Sequence, residues 1–136
     1  MLELSSKYAI RALSYLSTLH SDDNQNTFVQ VQSIAKKVQV PAPYLAKLLK
    51  ELGQAGILET KKGVQGGVRL AKRPTGKLSF WEICASLSDP ITQPSCLLNK
   101  GACNINSPCP FHEDWSKIQC STNEFLKNSI LKVPRC

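Results

Sequence analysis

Histidine is scarce in this chain: His20 and His112 are the only two among 136 residues. With so few ordinary general bases, no Ser/His/Asp set can be assembled. Phosphate-cradling glycine loops and paired carboxylates in a plausible pocket are also missing, which argues against an enzyme. No apolar run approaches the length that spans a bilayer. The opening stretch, "MLELSSKYAIRALSYL", breaks its apolar residues with Glu3, Lys7 and Arg11, unlike a secretory signal. Internal repeats and low-complexity segments are absent too. The expectation is a cytoplasmic protein that is not held in a membrane. In that compartment clustered thiols stay reduced and read as metal or redox ligands before disulfides.

Acidic residues are the other deficit. Seventeen Lys and Arg face ten Asp and Glu, giving a formal charge of +7. Polyanions are the natural partners of such a chain, nucleic acid first and an anionic membrane surface second. Apolar residues make up 42%, enough for one modest core, so wholesale disorder is not expected.

Periodicity predicts a first helix over about residues 5–20, with Tyr8, Ala9, Ala12, Leu13, Leu16 and Leu19 on one side and Ser5 or Ser6 as its cap. "HSDDNQNT" reads as a polar loop. "VQSIAKKV" gives a second helix and "PAPYLAKLLKELGQAG" a third, opened by Pro41 and Pro43 and closed by Gly56. "ILET" and "VRLA" read as strands joined by "KKGVQGG", whose glycines permit hairpin geometry. "SFWEICASL" is a short helix. A loop follows over about residues 88–109. The last helix is expected from near Pro110 to about Lys132, with Trp115, Ile118, Phe125 and Ile130 as apolar surface. A helix that long at the end of a small protein calls for a partner surface, and a second subunit is the economical choice.

Helix, turn, helix and glycine-rich hairpin, in that order, make a winged helix-turn-helix. Ile34, Ala35, Val38, Leu45, Leu48 and Leu52 would close the two-helix unit. The third helix would then present Ala42, Pro43, Tyr44, Lys47 and Lys50 to a major groove. Lys61 and Lys62 on the hairpin, with Arg69 nearby, would reach the DNA backbone or minor groove. The bland alternative is a small α+β core with solvated lysines.

The stretch "CLLNKGACNINSPCPFH" holds Cys96, Cys103, Cys109 and His112. Structural zinc sites usually pair cysteines two to four residues apart, so the Cys-x6-Cys-x5-Cys spacing fits zinc poorly. Thiolates spread along a loop better suit an iron–sulfur cluster. His112, three residues past Cys109, would point back at the loop from the start of the last helix. Against this stand reduced structural thiols and a surface histidine. Cys84 sits on an apolar face and reads as core; Cys120 and Cys136 are assigned nothing.

"LSSKYAIRAL", "IAKKVQVPAPYLAKLLKELGQAGIL", "KKGVQGGVRLAKRP" and the three-cysteine loop together resemble the bacterial IscR/NsrR family of winged-helix iron–sulfur regulators, also called the Rrf-two family. The resemblance spans almost the whole chain. It implies a homodimer on a pseudo-palindromic operator in double-stranded DNA, with the cluster controlling affinity. Cys96, Cys103 and Cys109 match the family's cluster cysteines, and His112 stands where IscR-type members place a histidine ligand. Some NsrR-type members use an acidic residue of the first helix instead; Lys7 occupies that place here. The resemblance therefore favours His112, or an open position, and an IscR-like [2Fe–2S] centre, with [4Fe–4S] as the alternative. Lys62-Gly63 stands where the family often has Arg-Gly.

The expected fold is mostly α with a small β-hairpin. A winged helix-turn-helix domain would cover residues 1–87, and the cluster loop with a long dimerisation helix residues 88–136, in one compact unit. The expected function is a regulator sensing iron–sulfur or redox status. A nitric-oxide-sensing repressor with a [4Fe–4S] cluster, a small cluster-carrying redox protein and a zinc-stabilised module are the competing readings.

Overall fold

The computed structural model describes residues 2–21, 27–98, 101–104 and 106–136, leaving most of the predicted polar loop after His20 outside the described residues. Helix α1 (Leu4–Ser21) buries Ala9, Ala12, Leu13 and Leu16 completely. Helices α2 (Val31–Val38) and α3 (Ala42–Gln54) pack on it through Ile34, Ala35, Leu45, Leu49 and Leu52. The turn between α2 and α3 is fixed by Gln39 in the left-handed region (φ 59), which lets the Val40 N–H donate back to the Ala35 carbonyl at 3.0 Å. Gly56 (φ 81) closes α3 in the same way, and the Ile57 N–H reaches the Leu52 carbonyl at 3.0 Å.

Strands β1 (Leu58–Lys61) and β2 (Gly67–Leu70) pair antiparallel, with Leu58 opposite Leu70 and Lys61 opposite Gly67. Val29 lies against this hairpin's other edge, exchanging two backbone hydrogen bonds with Val68 at 2.8 and 2.9 Å. That approach explains a glycine: a Cβ on Gly67 would lie 2.1 Å from the Val29 carbonyl oxygen.

Strand β3 (Lys77–Ser79) leads into α4 (Phe80–Ser86), capped by the Ser79 hydroxyl, which accepts the Glu82 N–H at 3.2 Å. Ser88 (φ 56) ends α4, and the Asp89 N–H returns to the Cys84 carbonyl at 3.0 Å. A 3-10 turn follows (Pro90–Thr92), then the cysteine loop and α5 (His112–Asn128).

Two expectations are corrected. The last helix stops at Asn128 instead of running to Lys132, and Ile130 belongs to strand β4 (Ile130–Lys132), antiparallel to β3. Ser129 is extended, and its carbonyl accepts the Phe80 N–H at 2.9 Å. The Ser17 hydroxyl donates to the Lys132 carbonyl at 2.6 Å. Strand pairing thus satisfies backbone groups that a longer helix would have had to satisfy alone. The α1 cap also differs. Ser6 lies inside the first turn, fully buried, and the orphan Glu3 N–H goes to the Asp89 carboxylate at 3.0 Å.

Gly67→Ala should destabilise the protein by about 2 kcal/mol or more, since the new methyl displaces the Val29 segment and Gly67 sits at φ 145. Urea denaturation against the parent measures it; an unchanged midpoint would contradict the close packing.

Candidate nucleic-acid interface and cysteine loop

The outer side of α3 carries Pro43, Tyr44, Lys47 and Lys50 exposed and Ala42 half-buried, while Leu45, Leu48, Leu49 and Leu52 close the inner side. The Tyr44 ring meets Tyr8 of α1 edge-on, with centroids 5.7 Å apart. Arg11 lies 5.7 Å from the same Tyr8 ring and donates to the Val38 carbonyl at the end of α2. The exposed first turn of α3 is therefore braced by α1.

Lys61 and Lys62 are exposed on the wing. A groove of about 650 Å³ runs between wing and α3, with Lys50, Lys61 and Lys62 on its walls. It concentrates positive charge beside the helix that a major groove would receive. Val64 at the wing tip is 91% exposed. Gln30, missed by the sequence reading, donates its side-chain amide to the Val64 carbonyl at 3.1 Å and ties the start of α2 to the wing.

Arg69 is placed differently from the lysines. Its Nε pairs with Glu59 at 2.6 Å, and its guanidinium lies 4.3 Å from the Phe28 ring centroid. Glu59 and Arg69 are direct cross-strand partners, a register that sequence does not give. The arrangement aims Arg69 at its own sheet.

In the cysteine loop, the Cys96 N–H donates to the Gly101 carbonyl at 2.8 Å, with Gly101 at φ 91 making the turn. The Cys103 thiol lies 3.6 Å from the Ser95 carbonyl oxygen and hydrogen-bonds with Cys96. Burial pushes the Cys103 thiol up from its ordinary pKa, and negative charge on Cys96 and Cys109 pushes it the same way. Both neighbouring cysteines therefore bear on Cys103. A bound metal reverses that sign, because it stabilises the thiolates.

His112 starts α5, with its N–H on the Cys109 carbonyl at 3.1 Å. Nε2 lies 3.4 Å from the Ser116 hydroxyl, while Nδ1 is buried without a hydrogen-bond partner. An imidazole nitrogen without a partner and three cysteines on one loop are donor types that iron accepts. Among the described residues, no three of His, Cys, Asp and Glu are already gathered at metal-holding distance. Residues 99, 100 and 105 of the loop lie outside the described residues.

Helix α5 grips the loop from behind. The Trp115 indole N–H donates to the Ser95 carbonyl at 2.7 Å and Gln119 to the Ser95 hydroxyl at 3.0 Å. Flanking that contact, Phe111, Trp115, Ile118, Thr122 and Phe125 recur in steps of four and three, the pattern of a helix–helix seam. Phe111, Ile118 and Phe125 are exposed, and Pro90 and Ile91 complete a cavity of about 220 Å³ beside Trp115 and Ile118.

Under the loop sits a buried polar group that the sequence reading also missed. Asp89 is 1% exposed. Its Oδ2 accepts the Ser6 hydroxyl at 2.6 Å and the Glu3 N–H, and Oδ1 accepts the Ile91 N–H at 3.0 Å. Asp before Pro90 is a helix-cap signature that could have flagged it. Cys84 is buried as expected; burial and the Asp89 charge raise its pKa, and a hydrogen bond with Ser6 works against them. His20 is buried too, with Nε2 accepting the Leu70 N–H at 3.3 Å. Cys120 and Cys136 are exposed.

Among the described residues, no helix is long and apolar enough to cross a membrane. The chain is 34% identical over 128 residues to a putative HTH-type transcriptional regulator of Aquifex aeolicus, covering 93% of this chain and 85% of that one. It is 26% identical over 132 residues to the HTH-type transcriptional regulator IscR of Vibrio campbellii, covering 96% and 75%. Among solved structures, T. potens IscR superimposes with a TM-score of 0.71 at 23% identity, covering 96% of this chain and 82% of the other. CymR, the global cysteine regulator of B. subtilis, gives 0.70 at 22% identity, covering 96% and 92%. The family profile described as "Rrf2: Iron-dependent Transcriptional regulator" matches residues 2–133, and with the winged helix already in place the chain belongs to the Rrf2 family of DNA-binding transcriptional regulators.

Proposed function

We propose that this regulator is a cytoplasmic homodimer that reads a pseudo-palindromic operator and carries an iron–sulfur cluster on Cys96, Cys103, Cys109 and His112. The observation that carries the reading is the geometry of the loop: Cys103 is held against Ser95, next to Cys96, and Cys109 is tied to the start of α5, where the buried His112 Nδ1 has no hydrogen-bond partner. The fold alone does not choose the sensor, since the IscR and CymR structures match it equally well. The cysteine loop favours the iron–sulfur reading, supported by the IscR relative that aligns over 96% of this chain. Three thiolates with one imidazole favour [2Fe–2S], and Lys7, a cation, stands where an acidic first-helix ligand would be needed.

Residues 1–87 would read DNA, and residues 88–136 would sense and dimerise. Ala42, Pro43, Tyr44, Lys47 and Lys50 would enter the major groove, with Lys61 and Lys62 on adjacent phosphates. Arg69 would support the wing through Glu59 and Phe28 rather than touch DNA. The seam of Phe111, Ile118 and Phe125 would meet its copy on a second subunit. When bound, the cluster would supply the positive charge that lets the thiolates converge. Ser95, held by Trp115 and Gln119, would fix the Cys96 end of the loop against α5.

Anaerobic purification with absorbance, iron and sulfide measured together tests the centre. About two irons per chain are expected for [2Fe–2S]; about four, with cluster loss on nitric oxide, would replace it by the [4Fe–4S] reading. Cys103→Ala should abolish the visible absorbance and change operator affinity while the dimer stays folded. A colourless, zinc-only parent protein would refute the cluster.

Lys61→Ala should lower the slope of log affinity against log salt by about two per dimer, one phosphate from each wing. An unchanged slope would move Lys61 off the DNA. Phe125→Glu should give monomers in sedimentation and weaken operator binding by at least tenfold; a stable dimer would place the seam elsewhere.

A further inference from the structure

We infer that Asp89 is a positioning residue that couples the cysteine loop to the DNA-reading helix through the first helix. The inference rests on the regulatory reading above for its purpose, but not for its geometry.

On the loop side, Asp89 Oδ1 accepts the Ile91 N–H at 3.0 Å. Its own carbonyl accepts the Thr92 hydroxyl at 2.9 Å and the Thr92 N–H at 3.1 Å. This fixes the 3-10 turn Pro90–Thr92 from which the chain runs to Ser95 and Cys96. On the other side, Oδ2 holds the Glu3 N–H and the Ser6 hydroxyl at the start of α1. One buried carboxylate therefore joins the base of the loop to the end of an 18-residue helix.

Along α1 the next turn presents Tyr8 and Arg11. Tyr8 touches Tyr44 in the first turn of α3, and Arg11 reaches the final carbonyl of α2. Both helices of the reading unit thus rest on the rod whose end Asp89 holds. A loop that changes shape pulls on Ile91 and Thr92, and with Asp89 in place α1 must follow. Because the carboxylate is buried, a broken contact is not replaced by water, so the linkage is stiff. Spatial intermediacy alone does not establish coupling, so the test measures both ends.

Asp89→Asn keeps the shape but removes one acceptor, since its amide nitrogen cannot take the Glu3 N–H. Ser6→Ala is a gentler variant that leaves the two backbone contacts intact. Two readouts apply to the full-length protein. The first uses cluster-free protein and hydrogen exchange. Asp89→Asn, and to a lesser degree Ser6→Ala, should speed exchange at residues 3–8 and alter it at residues 42–47. Changes confined to residues 86–92 would overturn the inference, whatever the cluster does.

The second readout is the ratio of operator affinities with and without the cluster. Asp89→Asn should bring that ratio at least tenfold closer to one while iron content is retained; a purely structural role would weaken both forms in parallel and leave the ratio unchanged. A parent protein whose affinity ignores the cluster would sink the regulatory reading. In that case the exchange measurement still decides the role of Asp89. If Asp89→Asn does not fold, Ser6→Ala carries both measurements, and parent-like exchange at residues 42–47 together with a parent-like ratio would again overturn the inference.

Discussion

A carboxylate taken out of water must be repaid in hydrogen bonds, and Asp89 collects them from two parts of the chain, the distant start of α1 and the turn just after Asp89 itself. The Glu3 amide and the Ser6 hydroxyl come from the first turn of α1, and the Ile91 amide from the turn that opens the cysteine loop. The Schellman closure of α4 at Ser88 delivers Asp89 to this spot, because only the left-handed Ser88 turns the backbone toward α1. The loop's starting point, the cap of α1 and the end of α4 are thereby one constraint. With that end fixed, α1 can serve both as the floor of the core and as the support of the reading unit.

Charge is distributed with similar economy. Lysines gather in the groove between α3 and the wing, where Lys50, Lys61 and Lys62 face a common space. Three of the four arginines are engaged by the protein itself. Arg11 reaches a helix carbonyl, Arg69 pairs with Glu59, and Arg73 pairs with Glu82. Three guanidinium forks hold the protein's own geometry together, while the wing lysines remain exposed, Lys61 with its ammonium 5.8 Å from the Phe28 ring centroid. That division suits the two side chains, since Arg makes directional pairs and Lys acts as a mobile point charge.

Much of this was legible from pattern. The apolar spacing of α1, α2 and α3 and the glycines of the wing located those elements to within a residue or two. The reading side of α3 followed from its buried side. What stayed hidden depends on contacts between distant residues. Ile130 to Lys132 continue an apolar stripe that reads as helix, and only the backbone of β3, lying alongside, makes them strand. Arg69 reads as a surface cation until its register opposite Glu59 is known. Asp89 reads as a loop acid, because nothing in its neighbourhood announces that α1 will lie across it. In the cysteine loop the donor types and their spacing can be read from the residues, but the contact of Cys103 with Ser95 and the orphaned His112 nitrogen needed coordinates.

Strand β4 closes the molecule on itself in a way that bears on how it is made. Strand β3 lies between the wing and α4, yet its hydrogen-bonding partner comes after α5, and Val133 beyond it enters the core. During synthesis the reading unit is therefore complete in sequence well before its last strand partner leaves the ribosome. A nascent chain holds β3 with an open edge, and maturation waits for residues 130–133. Closure of the β3 edge is thus left to the last residues of the chain to be made.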